Sequence, residues 1–373
     1  VSTPIAPANQ REIAEALKDA SGAGLTVIPT GGGTKRGWGN PPSRADAILS
    51  TERLDRVVEH AWSDLTATVE AGCTVAALQQ TLAEHGQRLA VDVLWPDRAT
   101  IGGILSTNDS GALRLRYGGL RDLIIGVTLA LADGTLAKSG GKVVKNVAGY
   151  DLPKLATGAM GTLGVITQAI FRLHPLPQKS LTLTMRSPVL ATMQWLILAI
   201  QDSNLAHSAL QLRHSPDSEP ECDLLLEGTP AGIEAQRAVV SRLAQNVTVE
   251  ERTSDVWSAR QQIWDPSGAV AKFSVLPEAI ATTIATIQQA SRDWAAVAQA
   301  TGLGFVRTDA NLNHLRTEIE HSGGSFVVLR QPPGGEHVEA WGNPGDALPL
   351  MRAVKHAFDP QGTLNPGVFV GGL

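Results

Sequence analysis

The residues of this sequence best suited to chemistry lie in Pro29-Thr30-Gly31-Gly32-Gly33-Thr34-Lys35-Arg36-Gly37. This stretch follows an apolar run, Leu25-Thr26-Val27-Ile28, that reads as a short strand. Three glycines after a strand make a loop free to adopt φ > 0. Such a loop can turn its backbone N–H groups to one side as an anion-binding nest. Thr30 and Thr34 add hydroxyls, and Lys35 and Arg36 add positive charge. The chemistry indicated is a phosphate or pyrophosphate cradle, although a simple glycine turn has the same composition. The spacing fits neither G-x-G-x-x-G nor G-x-x-x-x-G-K-[ST], so the common nucleotide motifs lend it no support.

Two further segments have ligand-binding character. Pro96 to Gly111 joins Pro96, Thr100, Ile101, the pair Gly102-Gly103, Ser106, Thr107, Asn108 and Gly111 in a stretch with little bulk. Small residues permit close backbone approach, and their hydroxyls and N–H groups suit a diphosphate or a heteroaromatic edge. Downstream, Gly158, Gly161 and Gly164 lead into Val165-Ile166, which reads as a loop entering a strand whose amides face a planar ring system. Between these segments, Lys142 and Lys145 are candidates for contacting an anion.

The elements that position these segments are mostly short. Asn9 to Ala20 reads as a helix with Asn9 and Glu12 as a capping box and Ile13, Ala16, Leu17 and Ala20 on one face. Ala47-Ile48-Leu49 and Val57-Val58 read as strands of the same small α/β unit. Leu65 to Ala71 alternates as a half-buried strand, and Thr74 starts a helix with Val75, Leu78 and Leu82 inward. Thr128 to Leu136 is a hairpin around Asp133-Gly134. After the linker His174-Pro175-Leu176-Pro177 the glycine density drops. Residues 181–249 then follow a β-α-β-β-α-β order, the ferredoxin-like arrangement. Beyond it, Asp255 to Trp264, Pro277 to Ala300 and Pro349 to His356 read as helices, and Ala271 to Val275 and Phe326 to Leu329 as strands. No internal repeat is evident from spacing.

Bulk properties narrow the function classes. A formal charge of −5 argues against nucleic acid or an anionic membrane as the main partner. Cys73 and Cys222 stand far apart, match no metal spacing and fit a reducing, cytoplasmic setting. The longest apolar run, Leu123 to Ala132, is too short to span a bilayer.

The glycine loop, the T-I-G-G of Thr100 to Gly103 and the G-x-x-G-T-L-G-V-I-T of Gly158 to Thr167 resemble, in order and spacing, the FAD-binding domain of the vanillyl-alcohol oxidase/p-cresol methylhydroxylase (PCMH) superfamily. R-D-L-I-I-G-V at Arg121 to Val127 and K-V-V-K-N-V-A-G-Y-D at Lys142 to Asp151 are similar to the E-subunit family of bacterial glycolate oxidases. Phe358-Asp359-Pro360-Gln361-Gly362-Thr363-Leu364-Asn365-Pro366-Gly367 resembles the family segment that returns to the flavin domain.

The resemblance implies an α+β protein with a PCMH-type FAD-binding domain at 1–177, of two α/β subdomains at about 1–62 and 63–177. A ferredoxin-like cap at 178–345 and a returning segment at 346–373 complete it. It implies FAD as cofactor, bound non-covalently because Gly31 to Gly39 lacks the histidine that tethers flavin in many members. It also implies oxidation of a small 2-hydroxy acid, glycolate to glyoxylate, in a complex with a D-type flavin subunit and an iron–sulfur subunit; the alternatives are a stand-alone FAD-dependent D-2-hydroxy acid dehydrogenase and a non-catalytic assembly subunit. The chain itself has no cysteine cluster for a relay. The H-x-G-D-G-N-x-H-like substrate motif of D-type subunits is missing here. Its nearest echo is Asp309-Ala310-Asn311-Leu312-Asn313-His314, which makes His314 a weak candidate base. No metal site is expected. The expected location is the cytoplasm, at the inner membrane only peripherally through the complex.

Overall fold

The computed structural model describes residues 2–142, 150–332, 334–335 and 337–373, arranged in two compact units. The first takes in the chain up to Ser110, Gly118–Leu176 and Asn343–Leu373. Its first sheet is parallel: β1 (Thr3–Ile5) and β2 (Val27–Thr30) flank β3 (Ala47–Ser50). The helix α1 (Gln10–Gly22) packs Ile13, Leu17 and Ala20 into the core beside Val27 and Leu49. Asn9 caps it as expected: its Oδ1 accepts from Glu12 N at 3.0 Å, and Glu12 accepts from Ala8 N at 2.7 Å.

The second sheet is antiparallel and contains β4 (Val57–Ala61), β5 (Thr66–Glu70), β6 (Ile124–Ala130), β7 (Leu136–Gly140) and β8 (Val165–Arg172), in the order β4-β5-β8-β6-β7. Val57 and Val58 therefore belong to this sheet and not to the first. Leu65 is not in a strand: it turns the chain into β5 at φ 52°. The expected helix after Thr74 is α2 (Val75–Ala83), with Thr74 Oγ1 accepting from Ala77 N at 3.2 Å. Within the small-residue stretch 96–111, to which spacing assigns no element, the chain forms a helix, α3 (Ile101–Thr107), capped by Thr100. Two glycines disfavour a helix by propensity. Here Gly102 donates its N–H to Ala71 O at 2.8 Å, and a Cβ on it would stand 3.0 Å from that of Ala71. Close packing on β5 outweighs propensity.

The second unit comprises Gly111–Tyr117 and Pro177–Gly342. Its first half runs β9 (Lys179–Arg186), α4 (Leu190–Gln201), β10 (His207–Ser215), β11 (Ser218–Gly228), α5 (Pro230–Leu243) and β12 (Thr248–Arg252). Its second half repeats the order: β13 (Ala269–Ser274), α6 (Ile280–Ala290), β14 (Trp294–Gln299), β15 (Leu303–Thr308), α7 (Leu312–His321) and β16 (Ser325–Arg330). The strands form one antiparallel sheet, β12-β9-β11-β10-β14-β15-β13-β16, so two ferredoxin-like units lie edge to edge through β10 and β14. This is the repeat that spacing did not reveal. Pro277 to Ala300 is not one helix. The Ala-rich run after Ser291 is strand β14, whose Trp294, Ala296 and Ala298 are buried in the core. At the turn before it, Asp309 Oδ1 accepts from Ser291 Oγ and from the N–H groups of Arg292 and Asp293.

The chain closes with α8 (Leu348–Phe358) in the first unit. Beyond it Leu364 bridges Val27 in parallel, Val27 N donates to Thr363 O at 2.7 Å, and Asn365 N donates to Val27 O at 3.1 Å. Among the described residues no helix is long and apolar enough to cross a membrane. Both cysteines are buried and free.

Candidate functional site

The end of β2 opens into a cleft of the first unit, holding about 1140 Å³ of atom-free space including its mouth. Sixteen expected residues line it: Pro29, Thr30, Gly31, Gly32, Gly33, Thr34, Lys35, Thr100, Gly102, Gly103, Ser106, Thr107, Gly161, Gly164, Val165 and Ile166. Three segments separated by up to about 130 residues are thus brought to one wall. Five expected residues are not on it. Pro96 accepts from Ala76 N at the start of α2, and Ile101 is fully buried in the core of the second sheet. Asn108 ends α3 at φ 49°, facing Gly158, whose N–H donates to Leu105 O at 2.8 Å. Gly111 belongs to the second unit.

The glycines of the loop divide the work differently from the expectation. Only Gly33 has a positive φ, 66°. At Gly32 the constraint is space: a Cβ there would lie 1.8 Å from Arg98 O, and one at Gly31 would lie 2.1 Å from Thr100 Oγ1. The first two glycines let β2 run hard against the entrance to α3, and the third turns the chain.

Lys35 also departs from its expected role. Its side chain is 4% exposed and its Nζ lies 3.2 Å from Oδ2 of Asp109, whose carboxylate is fully buried. Thr34 Oγ1 and Leu94 O lie 3.3 and 3.4 Å from the same ammonium, and the rings of Trp38 and Trp95 lie 5.7 and 5.5 Å from it. Asp109 Oδ2 accepts from Leu94 N at 2.9 Å as well. Lys35 is therefore a strut joining the glycine loop, the turn at Leu94 and the end of α3.

The opposite wall depends on the C-terminal segment. Met160 and Gly161 have φ of 54° and 70°, and Met160 O accepts from Asn365 Nδ2 at 2.6 Å. Lys355 holds this wall, donating to Thr162 O at 2.8 Å, Leu364 O at 2.9 Å and Asp359 Oδ2 at 2.6 Å. Burial lowers the pKa of Lys355 against the opposing pull of Asp359. Residues that sequence reasoning did not place in the site include Trp38, Met160, Asn365 and Val368, which line the cleft. The Asn-Pro-Gly of the tail was a signal for Asn365, but nothing in the sequence showed which wall it would reach.

The donor set suits a diphosphate-linked dinucleotide. The lining combines loop amides, the hydroxyls of Thr30, Thr34, Ser106 and Thr107, and the exposed cation Arg36, with no Asp or Glu among the described lining residues. Asn365 Oδ1 is buried on this wall with no partner among the described residues, an acceptor that a ligand N–H or O–H would satisfy.

The family model for an FAD binding domain matches residues 3–140, and that for the C-terminal domain of FAD linked oxidases matches residues 341–369. These two matches support the PCMH-type FAD-binding superfamily for this chain. Its cofactor is FAD. The α+β fold of a PCMH-type protein agrees: a solved alkyldihydroxyacetonephosphate synthase matches with a TM-score of 0.74 at 18% identity, over 97% of this chain and 75% of that one. Among relatives, glycolate oxidase subunit GlcD of Bacillus subtilis is 36% identical over 179 residues, 48% of this chain and 38% of GlcD. D-lactate dehydrogenase of Archaeoglobus fulgidus is 35% identical over 171 residues, again covering 38% of the relative. D-2-hydroxyglutarate dehydrogenase of Xanthomonas citri pv. viticola is 25% identical over 97% of this chain and 87% of that enzyme.

Of the three catalytic candidates, Lys142 and His314 are not among the described residues lining this cleft. Lys142 pairs with Glu59 in the first unit, and Lys145, with residues 143–149, lies outside the described residues. His314 is exposed on α7 of the second unit. Among the described residues no group of three or more His, Cys, Asp or Glu could hold a metal ion.

Proposed function

We propose that this chain is the FAD-binding, E-type subunit of a glycolate oxidase complex. In this reading, oxidation of a 2-hydroxy acid such as glycolate to glyoxylate occurs in the assembly with D-type flavin and iron–sulfur partners, and this chain would hold an FAD that supplies an electron relay. When bound, FAD supplies a two-electron acceptor. The chain's own residues hold it: the loop from Thr30 to Thr34 and the N-terminal turn of α3 face its diphosphate, and the strand edge at Gly164 to Ile166 faces a ring. The cleft lining contains no His, Cys or Tyr among the described residues, which supports non-covalent attachment. Cys73 lies off the lining, and burial pushes its thiol up to about 11, away from nucleophilic use.

The observation that supports the relay role is that the described residues lining the cleft include no His, Asp or Glu fit for proton abstraction. Oxidising a 2-hydroxy acid needs a base at the hydroxyl and a cation at the carboxylate. The only histidine near a D-type echo, His314, stands exposed on a helix of the other unit. A second reading is a stand-alone D-2-hydroxy acid dehydrogenase. It is favoured by the alignment with D-2-hydroxyglutarate dehydrogenase through 97% of this chain.

Purification of the chain alone, with absorbance spectra before and after acid precipitation, tests both. The E-type reading expects a yellow protein that releases its flavin into the acid supernatant. Its flavin is not bleached by glycolate or D-lactate until D-type and iron–sulfur subunits are added. Bleaching by the chain alone overturns it in favour of the stand-alone enzyme. Flavin that stays with the acid precipitate refutes non-covalent binding.

A further inference from the structure

The glycine loop carries two adjacent cations, and the structure commits them to different tasks. Lys35 is buried against Asp109, with its charge neutralised and its ammonium surrounded by Thr34, Leu94, Trp38 and Trp95. Arg36 is exposed, lines the cleft, and has no ion pair or side-chain hydrogen bond among the described residues. Its Cδ lies 3.7 Å from the point where a Cβ on Gly33 would stand, so the side chain folds back along the loop. With no Asp or Glu among the described lining residues, Arg36 is the cation of this cleft that no carboxylate offsets.

We propose that Arg36, and not Lys35, is the residue that recognises the diphosphate of the bound dinucleotide. A guanidinium presents a planar fork of N–H groups that matches two phosphate oxygens at once, and such charge-assisted bonds are the strong ones. The loop amides supply donors of fixed geometry, and Arg36 supplies the net charge. Lys35 acts as a positioning residue that holds the loop in shape beneath them. The assignment makes Arg36 selective for ligands with a diphosphate over an unphosphorylated flavin. It rests on the cleft being the FAD site.

Binding titrations of the apo-protein with FAD, ADP and riboflavin test it, with fluorescence for the flavins and calorimetry for ADP. Arg36→Ala is expected to weaken FAD and ADP by about tenfold and leave riboflavin unchanged. Arg36→Lys, which keeps the charge and loses the fork, is expected to fall between. Raising salt from about 50 to about 300 mM should weaken FAD less in Arg36→Ala than in the wild type, because the screened charge is gone. Arg36 is exposed, so the apo-protein should melt as the wild type does. Unchanged FAD affinity in Arg36→Ala, with affinity lost in Gly32→Val, overturns the role of Arg36 and leaves the cleft standing. Unchanged affinity in both overturns the cleft itself. Equal weakening of riboflavin overturns recognition of the diphosphate.

Discussion

Replacing Gly32 with valine tests how the proposed FAD-binding cleft is built. The expected damage comes from contact and not from backbone handedness, because positive φ falls on Gly33. A Cβ at residue 32 would lie 1.8 Å from Arg98 O and 3.0 Å from Arg98 C, where ordinary contact begins near 3.4 Å. The loop and the 98–100 segment must therefore separate, and that segment is anchored. Thr100 Oγ1 accepts from Gly103 N at 3.3 Å, and Ile101 N donates to Cys73 O at 2.9 Å. Losing the Thr100 cap costs about 1 kcal/mol. Forcing bulk into a closed contact costs about 1–3 kcal/mol more. A total of about 2–4 kcal/mol lowers the melting temperature of a unit of this size by about 5–15 °C. The same displacement moves the amides and Thr100 away from the ligand, so FAD affinity should fall at least about tenfold. Differential scanning calorimetry of the apo-protein and an FAD titration give the two readings. Gly37→Ala is the control: nothing lies within 4 Å of its Cβ position, and its stability should change by less than about 0.5 kcal/mol. A Gly32→Val protein that melts and binds FAD like the wild type would refute this account of the loop.

The remaining predictions concern groups buried around the site and in the cap. Asp109→Ala leaves the buried Lys35 ammonium without its counter-ion and should destabilise by about 3–5 kcal/mol in urea melts, whereas the double change Lys35→Met/Asp109→Leu should recover most of that loss. His174, His207 and His214 all have pKa values lowered from 6.5 by burial, with Arg172 and Arg88 adding to the effect at His174 and Arg116 at His207. Below pH 6.5 the unfolded chain therefore binds more protons than the folded one at these sites, so the stability they confer is present above pH 6.5 and lost as the pH falls through the folded values. Melting temperature should drop between pH 7.5 and pH 5.5, and His214→Gln should flatten that slope; an unchanged slope counts against His214 as a contributor.

How far the sequence was legible follows from the range of the interactions involved. The Asn9 cap of α1, the Asp133-Gly134 hairpin and the first βαββαβ run were readable because each rests on neighbours a few residues apart. The FAD-binding superfamily was readable for another reason: three glycine-rich motifs, in order and spacing, resemble those of the family, and each motif lies within a few consecutive residues. The errors fell where a distant contact outweighed local preference. The run from Trp294 to Gln299 looks helical by composition and becomes a strand because β10 and β15 flank it.

By itself, then, the sequence determined the cofactor class, through motifs that carry a family resemblance, and the ferredoxin-like pattern of half the second unit, since that pattern is written in residue type and short spacing. Tertiary structure alone decided the duplication of that pattern into an eight-stranded sheet and the place of the tail against β2. It also decided the separate fates of two neighbouring cations. Lys35 and Arg36 are nearly equivalent as letters, and only the arrival of Asp109, more than 70 residues away, buries one charge and leaves the other facing the cleft.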